Sequence, residues 1–74
     1  MVTEWISMLL EKNKASSEKD LTPEMIAEEI RDTQTSISNE KLWALGSPTK
    51  MVAKMHNNNI EVMREYILYL ELLL

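Results

Sequence analysis

Cysteine and phenylalanine are absent from this 74-residue chain, glycine and histidine occur once each, and proline twice. Each shortage removes a possibility. Without Cys there are no disulfides, no thiolate metal ligands and no thiol nucleophile. A single histidine, His56, rules out a histidine-rich metal site. One Gly leaves no phosphate-cradling loop, and no serine stands in a Gly-x-Ser-x-Gly elbow. So few turn residues also argue against a sandwich or barrel. No run reaches the roughly 20 apolar residues of a membrane span. The start, Met1-Val2-Thr3-Glu4, has no positively charged region of a signal peptide. The expectation is a cytoplasmic protein that is not an enzyme, with no catalytic residues, cofactor or metal.

Positive charge is also scarce. Eight Lys and Arg stand against 12 Asp and Glu, for a net charge of −4. Nucleic-acid binders carry a basic footprint, and membrane-surface helices carry Lys and Arg on their polar face. Neither partner is expected. Seventy-four residues make one domain, and a domain this small buries only about 60% of its unfolded surface. Small scaffolds need a staple. With disulfides and metals excluded, association remains. Six methionines suit an adaptable core or an adaptable binding face.

What is present is helical spacing. Val2, Trp5, Ile6, Leu9 and Leu10 recur at three- and four-residue steps, widened by Met8. They predict a helix over about 2–12. Residues 12–21 are polar and read as a loop. Leu21-Thr22-Pro23-Glu24 is a start signal: Thr22 to cap, Pro23 at the first helical position, Glu24 at the positive end of the dipole, and Leu21 to staple the first turn. Ile26, Ile30, Thr33 and Ile37 then mark one face of a helix over about 23–45. Leu42 and Trp43 point elsewhere. Either the helix breaks near 36–39, with Ser38 as a new cap, or it runs through and shows an apolar spot on a second face. The lack of Pro or Gly favours continuity.

Leu45-Gly46-Ser47-Pro48 is the sharpest local signal. Gly46 suits a left-handed helix end, Ser47 a cap, and Pro48 the next first turn. A final helix is expected over about 48–73, roughly 40 Å if unbroken. Its seam reads Val52, Met55, Asn59, Val62, Tyr66, Tyr69 and Leu73, widened by Met63 and Leu70. Asn57-Asn58-Asn59 is a weak helical stretch that suggests a kink. Asn59 alone could instead fix register in a helical interface. The fold expected is all-α: a small bundle of three helices, or four if the second breaks. Its antiparallel hairpin closes at Gly46-Ser47, and oligomerisation completes it.

Residues 66–74 are apolar except for Glu71 and point almost all round a helix. Such a helix must be covered all round, which calls for a second chain. The expected function is a small non-enzymatic protein-interaction module: a regulator, adaptor or inhibitor. It would dimerise through the C-terminal helix and bind an unidentified protein, with Trp43, Tyr66, Tyr69, Leu70 and Leu73 as contact residues. A second reading takes Glu24, Glu28, Glu29 and Asp32 as an acidic face mimicking nucleic-acid phosphates, although a charge run is usually just a solvated surface. A third is a dimeric helix-turn-helix DNA binder using Lys50, Lys54 and Arg64, which the net charge opposes. His56 has Glu61 and Glu65 nearby but no ligand or nucleophile pattern, and reads as a surface or seam residue.

Overall fold

The computed structural model describes residues 2–74. Met1 and the side chain of Val2, expected on the first stripe, lie outside the described residues. Three α-helices, α1 (Val2–Lys12), α2 (Pro23–Leu45) and α3 (Lys50–Leu73), account for most of them, and the described residues contain no strand. A single 3-10 turn, Glu18–Asp20, interrupts the first loop.

Local chemistry explains each boundary. The α1 terminus closes with Lys14 in the left-handed region, φ 53°. The amide of Ala15 donates to the Leu10 carbonyl at 2.9 Å and that of Lys14 to Glu11 at 3.1 Å. This is the bonding pattern that ties off a helix end. At the start of α2 the Met25 amide donates to Thr22 Oγ1 at 3.2 Å, with Pro23 in the first turn. Leu21 is buried beside Ile26, as a staple would be.

No break occurs near 36–39. The hydroxyls of Thr33, Thr35, Ser36 and Ser38 each donate to the carbonyl four residues back, at 2.8–3.2 Å. A hydroxyl bonded to its own helix does not compete for the backbone, so this polar stretch stays helical. The turn into α3 departs from expectation in two ways. Gly46 has φ −90°, not a left-handed value. The cap of α3 is Thr49, whose Oγ1 accepts from the Val52 amide at 3.2 Å. Ser47 instead donates back to the Trp43 carbonyl at 2.7 Å. The three asparagines do not interrupt α3, which is continuous through them.

α2 and α3 run antiparallel along their length. Ile26 meets Leu70, Glu29 meets Tyr66, Ile37 meets Ile60, and Glu40 meets His56. The stripe read on α2 is the one buried: Ile26, Thr33 and Ile37, continued by Glu40. On α3 the buried stripe is Ile60, Met63, Tyr66, Ile67 and Leu70. Asn59 and Met55, expected on the seam, are exposed. The short α1 lies across the hairpin at one end only. Ile6 and Leu9 pack on Ile26, Tyr66 and Leu70. Trp5 lies against Tyr66, ring centroids 5.2 Å apart. Burying one such large apolar side chain stabilises the fold by about 1.5–3 kcal/mol. The molecule measures 42 × 19 × 19 Å.

Candidate interaction surface

An 11-residue helix cannot cover a hairpin whose second helix has 24 residues. At 1.5 Å per residue, α1 shields less than half of it. Where it lies, helix packs on helix from two sides. Tyr66 and Leu70 have no exposed surface there. At the far end, only α2 and α3 face each other, and apolar side chains are left in solvent. Trp43 is 57% exposed and Met51 75%, and Leu42, Leu45 and Met55 are exposed with them. A second exposed group, Leu68 and Leu72, lies along the outside of α3 at its C-terminal end. With Thr3, Ile6 and Tyr69 these two line an open cleft of about 430 Å³.

The contact residues expected from sequence therefore divide. Trp43 is on the surface, its ring 5.9 Å from that of His56. Tyr69 and Leu73 are half-buried. Tyr66 and Leu70 are core residues, a correction to their expected role. The periodicity that pointed to them was real, but α1 and α2 cover that face within one chain.

The acidic face is also reshaped. Glu24, Glu28 and Asp32 are exposed. Glu29 is turned inward and accepts from Tyr66 Oη at 2.6 Å. Lys12 Nζ reaches both Glu29, at 3.8 Å, and Asp32, at 3.7 Å. Both pairs are long and share the exposed Lys12 ammonium, so their energetic weight is small, but they occupy two of the four carboxylates. Burial pushes the Tyr66 phenol far above its ordinary value of 10, reinforced by its hydrogen bond to Glu29 and that carboxylate's charge. Tyr69 Oη donates to Glu18 Oε1 at 2.5 Å, and that bond is the first cause raising its phenol. The two tyrosines thus fasten α3 to α2 and to the first loop.

Sequence reasoning missed the pair at the open end. His56 Nδ1 and Glu40 Oε2 are 2.5 Å apart across the hairpin, and the Glu40 side chain is only 11% exposed. A carboxylate that deep needs a partner, and the single histidine supplies it. Its only sequence signal was that Glu40 continues the Ile26–Ile37 stripe by one more step.

Lys50, Lys54 and Arg64 are exposed on α3. The helix before them packs alongside α3 throughout and does not cross it at the wide angle of a helix-turn-helix. Among the described residues, no helix is long and apolar enough to cross a membrane, and no three His, Asp or Glu side chains converge as a metal site. No protein-family description, curated relative or solved structure matches this chain.

Proposed function

We propose that this chain is a non-enzymatic protein-interaction module that self-associates through the outer surface of its C-terminal helix. The observation that carries this reading is the uncovered half of the hairpin. Met51 and Met55 on α3, and Leu42, Trp43 and Leu45 on α2, are each exposed where α1 does not reach. Apolar patches of this kind, rimmed by polar residues, mark interaction surfaces in small soluble domains. Trp and Met are also the residue types enriched at the centres of interfaces. The remainder of the tip is open to a protein partner.

Sedimentation of wild type and a Met51→Ala/Met55→Ala variant tests this. Both residues are exposed, so the variant keeps its fold, checked by circular dichroism. The reading expects the wild type to associate as concentration rises and the variant to lose that association. A wild type that stays a single chain up to about 1 mM, where even a weak complex forms, overturns it.

A further inference from the structure

The outside of α3 carries its charges in two blocks. Lys50 and Lys54 stand at the start, Glu61 and Glu65 further on, and all four are exposed. Their steps of four, and the near-whole number of turns between the blocks, put them on one face of the helix. Among the described residues, none of the four has an ion-pair partner within the chain. Within one copy each block sets like charges four residues apart, which is unfavourable, and only the acidic block has a nearby opposite charge, Arg64 three residues after Glu61.

The same asymmetry runs through the molecule. Residues 38–58 hold Lys41, Lys50 and Lys54 against Glu40, a net of +2. The remaining residues hold 11 acidic and 5 basic side chains, a net of −6, which together give the chain's −4. One end is basic and apolar, and the rest is acidic.

We infer that the occupant of this face is a second copy of the chain, with the two α3 helices packed antiparallel about a twofold axis between Asn57 and Asn58. The inference rests on the self-association reading above and specifies its geometry. Lys54 and Glu61 are equidistant from that midpoint, and so are Lys50 and Glu65. One register therefore sets Lys54 level with Glu61 of the second copy and Lys50 level with its Glu65, twice over by symmetry. Both like-charge blocks are neutralised at once. The apolar surface fits the same register. Met51 and Met55 are exposed beside the lysines, and Val62 is half-buried beside the glutamates. Val62 of each copy falls level with the gap between Met51 and Met55 of the other, as a knob meets a hole. Asn58 sits at the axis, where a single polar residue disfavours shifted registers. α1 packs on the C-terminal half of α3, against Tyr66 and Leu70 and with Trp5 reaching the Ile60–Met63 cluster, and leaves the exposed Lys50, Met51, Lys54, Met55 and Asn58 uncovered. An isologous contact of this type closes on itself and stops at two chains.

Charge exchange tests the register directly. Light scattering from about 1 µM to 1 mM follows wild type, Lys50→Glu/Lys54→Glu, Glu61→Lys/Glu65→Lys, their equal mixture, and the chain carrying all four exchanges. Every position is exposed, and circular dichroism confirms folding. The expected result is a wild-type dimer whose midpoint moves at least about tenfold upward in either double variant, as like charges now face each other. Two-chain species return in the mixture and in the fourfold exchange, and half-molar salt weakens the wild-type dimer. A wild-type dimer indifferent to these reversals overturns the antiparallel register while leaving self-association through Met51 and Met55 standing. A fourfold exchange that fails to restore the dimer also overturns it. A wild type of one chain at every concentration removes both.

Discussion

The two ends of the hairpin share the same two helices and differ in one addition. At the α1 end, three layers meet, and Leu9, Tyr66 and Leu70 are almost wholly enclosed. At the turn end, two helices meet, and the residues away from their contact line remain in water. The lesson is one of geometry. A pair of helices encloses only a line of side chains between them, and a third is needed to make a volume. The closed end holds itself together with apolar packing and two tyrosine–carboxylate bonds. The open end has one polar pair with its carboxylate buried, Glu40 with His56, and leaves Leu42, Trp43, Leu45, Met51 and Met55 exposed.

Substitutions sharpen this contrast. The largest effect is expected for Leu70→Ala, which opens a cavity at the closed end and costs about 2–5 kcal/mol by urea denaturation. Leu45→Ala at the open end removes the same atoms from a side chain already in solvent and changes stability by about 0.5 kcal/mol or less. Equal losses at the two sites would erase the distinction. Next in size are the polar pairs. Tyr66→Phe leaves the inward-turned Glu29 without its donor, and His56→Ala does the same to Glu40. Each is expected to cost about 1–3 kcal/mol, and the His56 variant should also alter Trp43 fluorescence, since the two rings are in contact.

Alkaline titration probes the closed end. The Tyr66 phenol has a folded value above its unfolded value of 10. Its contribution is therefore whole at neutral pH and is lost as pH climbs above 10, where the unfolded chain gives up the proton first. Thermal melts between pH 8 and 11 should fall above 10 in wild type and fall less in Tyr66→Phe. The smallest effect is expected at the turn. A methyl group on Gly46 would meet only the Leu42 carbonyl, at 3.6 Å, and the backbone there is not left-handed. Gly46→Ala should be neutral or stabilising by up to about 1 kcal/mol. A clear loss would show that the turn needs glycine's freedom.

Much of this architecture was legible in local signals. Thr22-Pro23 set the start of α2, and Ile26, Ile30, Thr33 and Ile37 set its buried face. The turn was placed correctly, yet its details were not. Thr49 took the cap that Ser47-Pro48 suggested, because Ser47 bonds back to Trp43. The phase of α3 was harder, because the helix has two apolar faces. Of the sequence seam, Tyr66, Tyr69 and Leu73 pack in the cluster that α1 joins, while the face toward α2 runs through Ile60, Met63 and Ile67. Periodicity counts apolar residues but does not say which neighbour each face meets. The cross-helix pairs, Glu40 with His56 and Glu29 with Tyr66, depend on register between distant segments and leave no short-range pattern.

Residue-resolved hydrogen exchange, in dilute and in concentrated solution, tests the central contrast most directly. The account predicts that amides of 25–37 and 60–70, at the closed end, are the most protected at both concentrations. Amides of 40–58 should exchange faster when dilute and gain protection when concentrated, as a second copy covers them. Uniform protection along the hairpin that does not change with concentration would contradict it.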